Sequence, residues 1–274
     1  MSRIVTLNIG ASRAVLAEYA VKGKQGLTLA AYGSTELVGL DWDAEGSAEA
    51  VLVPALRGLA QSAGIKPGPL ALALNGQMVF PRFTKFPTVP ADKLEELVQY
   101  EVEQEVPFPV DEIVCDHQFL GQTAEGDTAA MIVAAKLDQV TKVTDAVVAA
   151  GFTPVVIDVG PMAVLNALKR SYPGLPGGTV VLDIGAKTTS LVLVENEKIY
   201  LRSIPVAGNA ITKEIAQAFG CSMEEAEALK KERGYVALGG VTEDEDEISD
   251  RVSKIVRTVL TRLHAEILRS INFY

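Results

Sequence analysis

Five residues near the start of the chain, Leu7-Asn8-Ile9-Gly10-Ala11, return as Leu182-Asp183-Ile184-Gly185-Ala186, 175 positions later. Val5 and Leu16 recur in the same frame as Val180 and Leu191. Each copy reads as an apolar strand, a turn made of a polar residue and a glycine, and a second apolar strand. The first copy continues through Leu27–Tyr32. The second continues through Ser190–Val194, a polar turn at 195–198 and the alternating strand Ile199–Val206. Two hairpins opened by one turn predict two related halves. With 274 residues, 48% of them hydrophobic, the chain has enough apolar material to give each half a core.

The stretches between the hairpins alternate helix and strand, so the fold class is α/β. Ser47 is placed to cap a helix running to about Ala63, bent by Pro54 and ended by Gly64. Strands at 69–75 and 77–86 flank Asn75-Gly76, a hairpin signal. Pro90 opens an acidic helix, Ala91–Glu105, with Leu94, Leu97, Val98 and Val102 on one face, and Pro107 and Pro109 stop it. Strands near Glu112–Gly121 and Ala129–Lys136 follow, then a helix from Asp138 to Ala150 halted by Gly151. Val155–Asp158 is a short strand and Pro161–Ser171 a helix. Pro173–Gly178 interrupts all regular structure and marks the boundary between halves. The second half adds a helix from Gly208 to Gly220, another capped by Ser222, and an acidic run at 243–247. A long amphipathic helix then carries Ile248, Val252, Val256, Val259, Leu263, Ile267 and Ile271 on its stripe.

Charge and composition exclude several classes. A formal net charge of −10 with no clustered cations argues against nucleic-acid binding. Cys115, Cys221, His117 and His264 do not complete a metal-ligand pattern, and two distant cysteines suit a reducing compartment. The longest apolar run, Ala129–Ala135, is far too short to span a bilayer, and the N-terminus has no secretory leader. The expectation is a cytoplasmic protein that reaches a membrane only through a partner.

The chemistry of the repeat lies in its turn. A strand followed by small residues lets backbone N–H groups approach phosphate oxygens, and nearby hydroxyls add donors. The candidate phosphate contacts are Asn8, Gly10, Ala11 and Ser12 in the first copy. In the second they are Asp183, Gly185, Lys187, Thr188 and Thr189, with Asp183 placed to hold Mg²⁺ through water. The turn is not a Walker loop, which needs Gly-x4-Gly-Lys-Ser/Thr.

With these turns the sequence resembles the actin/Hsp70/sugar-kinase superfamily. More narrowly it resembles PilM, the FtsA-like cytoplasmic component of the type IV pilus assembly platform. The residues that carry the likeness are the acidic stretch Tyr100–Phe108, Val156–Val159, Val181–Ser190, Ser203–Asn209 and Glu266–Tyr274. The resemblance implies an actin-like first subdomain from 1–82 and 154–178, with an inserted α+β subdomain at 83–153. It implies a second half at 179–274, with about 221–262 as its smaller lobe. It further implies a scaffold whose groove, between the first subdomain and the insertion, receives the cytoplasmic N-terminal peptide of a PilN-like bitopic inner-membrane protein. Phe80, Phe83, Phe86 and Phe108 cluster in sequence near that junction and are the candidate groove residues.

The same resemblance makes ATP with Mg²⁺ the cofactor to test for, with binding expected to be weak or absent. Asn8 stands where the superfamily usually carries Asp, and Val15 where many members place a phosphate-contacting Lys. Gly160 stands where hydrolytic relatives often present an acid or amide to water. The superfamily also closes with a strand and glycine-rich turn that holds adenosine, which leaves the second half here expected as truncated and open to self-association. The alternatives are an ATPase or phosphotransferase of the superfamily, and an FtsA-like division protein.

Overall fold

The computed structural model describes residues 3–23, 26–123, 125–195, 198–236 and 246–273. In chain order the elements are β1 (Arg3–Ile9), β2 (Arg13–Lys22), β3 (Gly26–Glu36), α1 (Ser47–Ala63), β4 (Pro69–Leu74), β5 (Val79–Phe86), α2 (Ala91–Glu105), a short 3-10 turn at Val110–Glu112, β6 (Ile113–Gln122), β7 (Thr128–Lys136), α3 (Leu137–Ala149), β8 (Thr153–Val159) and α4 (Gly160–Ser171). They continue with β9 (Gly178–Ile184), β10 (Thr189–Glu195), β11 (Lys198–Ile204), α5 (Gly208–Phe219), α6 (Met223–Arg233) and α7 (Glu247–Asn272). The chain divides into two units: Met1–Thr179 with Val194–Tyr200, and Val180–Leu193 with Leu201–Tyr274.

The first unit holds a five-stranded sheet in the order β3-β2-β1-β4-β8. β2 runs antiparallel to both β1 and β3, whereas β4 lies parallel to both β1 and β8. Strand alternation puts Val5, Leu7 and Ile9 into a core shared with Leu52, Leu56 and Leu59 of α1 and Val143 and Val147 of α3. Pro54 lies inside α1 on its exposed side, where solvent can satisfy the carbonyl that the missing N–H leaves free. The expected cap is corrected. Gly46, at φ 72°, precedes the helix, and Ser47 Oγ instead accepts the Asp41 N–H at 2.9 Å.

Asn75-Gly76 is a turn but not a hairpin. Asn75 Oδ1 accepts the Gln77 N–H at 2.9 Å, and the chain then leaves the first sheet for a second one, ordered β5-β7-β6. Local turn chemistry was legible there, but the change of sheet is a non-local choice. One face of this second sheet packs α2: Ala130, Ile132 and Ala134 of β7 meet Val98 and Val102, with Phe86 and Ile113 beside them. The sheet and its helix occupy residues 79–136. The expected insertion at 83–153 therefore differs at both ends, because Val143, Ala146 and Val147 place α3 in the first core.

The sheet β11-β10-β9, most of whose residues belong to the second unit, repeats the order β3-β2-β1 of the first sheet. Ile215 of α5, Ala226 of α6 and Val252 and Val256 of α7 form one cluster, and Leu191 and Ile204 close on Leu263. Ser222 caps α6 in a reciprocal capping box with Glu225, as its spacing predicts. Of the acidic run, residues 243–245 lie outside the described residues, and Asp246 caps α7 by accepting the Ile248 N–H.

Candidate functional site: two glycine turns and a groove between sheet edges

The two turns have one geometry. Gly10 N–H donates to Arg13 O at 2.8 Å, and Gly185 N–H donates to Thr188 O at 3.1 Å. A Cβ on Gly10 would lie 3.1 Å from the Arg13 carbonyl oxygen, and one on Gly185 2.9 Å from that of Thr188. Gly185 leaves no space for a side chain, and at Gly10 the Arg13 carbonyl would have to give by a few tenths of an ångström to admit one. Asn8, Ser12, Asp183 and Lys187 are exposed beside their turns, with Ala11 and Thr188 half-buried.

Their surroundings differ. The first turn is held by Leu37 N–H on Ser12 O at 2.8 Å, and Arg13 lies 3.9 Å from Glu36. The second is tied to the start of α5, where Gly208 N–H donates to Gly185 O at 3.1 Å and Asn209 N–H to Ala186 O at 2.7 Å. Lys230 Nζ reaches across from α6 to Gly208 O at 3.3 Å, Thr212 Oγ1 at 2.9 Å and Glu227 Oε2 at 2.5 Å. The buried Thr212 hydroxyl donates to the same carboxylate at 2.6 Å. Burial raises the Glu227 pKa, but the hydrogen bonds from Lys230 and Thr212, with the charges of Lys230 and Lys231, hold it below its ordinary value. This brace was missed in the sequence. Its signal there is the Glu-x-x-Lys spacing inside a capped helix, which puts Glu227 and Lys230 on one face. Thr189 is fully buried, and its hydroxyl is committed to Val206 O at 2.7 Å.

Gly160 has a packing reason. A Cβ there would stand 2.9 Å from the carbonyl oxygen of Leu74, so the first turn of α4 sits against the end of β4 with no space for a side chain.

Within the first unit, a cavity of about 450 Å³ opens between the insertion and the core sheet. Val114, Asp116 and Gln118 of β6 and Met131, Val133 and Ala135 of β7 line one side. Ile157, Asp158 and Val159 of β8 line the other with Met162 and Asn166 of α4. The register explains the first set: Val114 opposes Ala135, Asp116 opposes Val133 and Gln118 opposes Met131, all on the face turned away from α2. Cys115 and His117 belong by alternation to the other face, where His117 Nε2 meets Glu95 at 3.3 Å. They line the cavity too. β6 and β8 are terminal strands of their sheets, and the cavity lies between them.

None of the four phenylalanines lines this cavity. Phe86 is buried beneath α2, with Phe108 packed against the same cluster. Phe80 meets Phe108 edge-on at 4.8 Å, and Lys136 Nζ lies 4.6 Å from the Phe108 ring centre. Phe83 opposes Met131 and so shares the groove-forming face of the sheet, but its ring rests 5.8 Å from that of Tyr200. Among the described residues no three His, Cys, Asp or Glu side chains gather to hold a metal, and no helix is long and apolar enough to cross a membrane.

Paired hairpin sheets with a small α/β insertion in the first half define an actin-like fold. The chain belongs to the family described as type IV pilus assembly protein PilM, whose model matches residues 7–238. It is similar to the solved PilM-PilN type IV pilus biogenesis complex, with 32% identity and a TM-score of 0.81 over 98% of this chain and 76% of that one. The fold is also that of the ethanolamine utilization protein EutJ from Carboxydothermus hydrogenoformans, at 16% identity and a TM-score of 0.55, covering 100% of this chain and 73% of that one. The cell division protein FtsA of Bacillus subtilis (strain 168) is 36% identical over 69 residues, 25% of this chain and 16% of FtsA's length.

Proposed function

We propose that this chain is a PilM-like scaffold at the cytoplasmic face of the inner membrane, and that its groove takes the cytoplasmic N-terminal peptide of a PilN-like membrane protein. The observation that carries this reading is the cavity between β6 and β8, apolar along Met131, Val133, Ala135 and Ile157 and bordered by two terminal strands. An extended peptide gains main-chain hydrogen bonds from such an edge and side-chain selectivity from the pockets between strands. Asp116 and Asp158 add carboxylates on opposite sides. Residues 79–136 hold 11 Asp and Glu against 4 Lys and Arg, which favours a peptide with basic flanks, as the positive-inside rule supplies next to a membrane span.

A nucleotide fits the second turn better than the first. Backbone N–H groups, Lys187 and Thr188 suit a phosphate, and the exposed Asp183 carboxylate suits hydrated Mg²⁺. Bound Mg²⁺ would neutralise phosphate charge there. The first turn keeps the shape but offers the Asn8 amide, so ATP with Mg²⁺ binds weakly or not at all in this reading. Hydrolysis is negligible because Gly160 cannot orient water. The helix α7 buries Val252, Val256, Val259 and Leu263 against its own unit, which favours a scaffold over lipid insertion through that stripe.

Hydrogen exchange with and without a synthetic peptide from the cytoplasmic start of the neighbouring membrane protein tests the site. Amides of β6 or β8 should gain protection. Protection confined to β9, β10 or α5 would contradict the assignment.

A further inference from the structure

The sheet face that looks into the groove ends, on its far strand, in an aromatic ring. Phe83 of β5 stands opposite Met131 of β7, and Met131 stands opposite Gln118 of β6. Residues directly opposite share a face, so these three side chains form one row across the sheet. Gln118 and Met131 line the cavity, and Phe83 does not. The Phe83 ring instead meets that of Tyr200, 5.8 Å away and tilted by 41°, and both residues are half-buried. Tyr200 comes from β11, in the sheet β11-β10-β9, yet the stretch Val194–Tyr200 belongs to the first unit. A residue from another sheet therefore extends the row.

β11 presents that ring from a fixed strand. Alternation puts Arg202 and Ile204 on the same face as Tyr200. Ile204 closes on Leu191 and Leu263, and Arg202 donates to Ser270 Oγ at 2.7 Å and to Glu266 Oε2 at 3.3 Å. At the middle of the row Met131 is 5% exposed, and its unbranched, flexible side chain adapts to whatever packs beside it. Its neighbour in the row is the Phe83 ring, and the room that ring has is set by Tyr200. Taking the cavity as the peptide groove proposed above, we propose that Tyr200 is a positioning residue for it. Tyr200 lies outside the cavity lining and acts through its neighbours. It holds Phe83 in the row, and Phe83 holds Met131 in the shape that the peptide meets.

Calorimetric titration of the full chain with a synthetic peptide from the cytoplasmic start of the neighbouring membrane protein tests this, with thermal unfolding as the folding control. Tyr200→Ala should raise the dissociation constant about fivefold, the scale of one aromatic pair. Tyr200→Phe keeps the ring and should stay within about twofold of the native chain. Phe83→Leu should weaken binding as Tyr200→Ala does, and the double variant no more than the weaker single one, because both break one path. In the chain without peptide, the Met131 methyl resonance should move in Tyr200→Ala and hold its place in Tyr200→Phe. Native affinity in folded Tyr200→Ala, equal losses in Tyr200→Ala and Tyr200→Phe, additive losses in the double variant, or an unmoved Met131 methyl each overturns the role of Tyr200. The groove reading survives any of these as long as Val133→Arg still abolishes binding. A peptide that binds regardless of Val133→Arg, or not at all, overturns the groove reading and the role of Tyr200 with it.

Discussion

The repeated turns at Gly10 and Gly185 share sequence and hydrogen bonding, yet the strands that lead into them meet different fates. Leu7 and Ile9 are 1% and 0% exposed, whereas their counterparts Leu182 and Ile184 are 42% and 53% exposed. β1 lies inside a five-stranded sheet between β2 and β4, and β9 is a terminal strand of three. The five-residue repeat thus encodes a turn, and the neighbours of the strand decide burial. The turns also differ in support. The second is wired through Gly208, Thr212, Glu227 and Lys230 into two helices, while the first is held by a backbone bond from Leu37 and flanked by the surface ion pair of Arg13 with Glu36.

Breaking that brace should have the largest effect. Glu227→Gln removes the charge that Lys230 and Thr212 share, and should cost the protein about 1–2 kcal/mol at neutral pH, measured by urea unfolding. The matching change at the first turn, Arg13→Ala, should cost no more than about 0.5 kcal/mol. The pH dependence has a fixed sign. The Glu227 carboxyl is held below its ordinary 4.5, so its contribution is present above about 4.5 and disappears as pH falls through the folded-state value. The gap between native protein and Glu227→Gln should therefore close on acidification. A gap that persists at low pH would mean that Glu227 acts by shape and not by charge.

A smaller effect sharpens the comparison from the other side. Asn8→Asp gives the first turn the carboxylate that the second already has. Mg²⁺-dependent ATP binding should rise by up to about tenfold, close to 1.4 kcal/mol, in fluorescence titration with a labelled nucleotide. No change would place the deficit of the first turn elsewhere, with Val15 the next residue to alter.

Much of this was legible in the sequence because it is local. The acidic helix runs Ala91–Glu105 as its proline boundaries predict, Gly64 and Gly220 end their helices at φ 67° and 64°, and Ser222 caps α6. The twin turns themselves were visible as a repeat. What the sequence hid is non-local. Asn75-Gly76 has the residues of a hairpin, but β4 pairs with β1 and β8, and β5 with β7. The phenylalanines near the junction were natural groove candidates by type. Alternation puts Phe80 and Phe86 opposite Ala134 and Thr128, away from the face that Val133 and Met131 give to the cavity. Which face of β7 looks into a groove depends on β8, which begins 17 residues after β7 ends. Nothing within the local pattern around Phe80–Phe86 records that. The Gly160 position is similar: its lack of a side chain reads as a missing functional group until Leu74 O is found 2.9 Å from where a Cβ would stand.

The most direct measurement separates groove from turns. Calorimetric titration of a peptide from the cytoplasmic start of a PilN-like partner should be run on the native chain, on Val133→Arg and Gln118→Arg in the groove, and on Asp183→Ala at the second turn. Thermal unfolding of each variant serves as the folding control. The expected result is a dissociation constant raised at least about 100-fold by Val133→Arg, raised by a smaller factor by the exposed Gln118→Arg, and unchanged by Asp183→Ala. Peptide binding that survives both groove substitutions in folded protein, or that is lost with Asp183→Ala, would contradict a scaffold whose partner sits between β6 and β8.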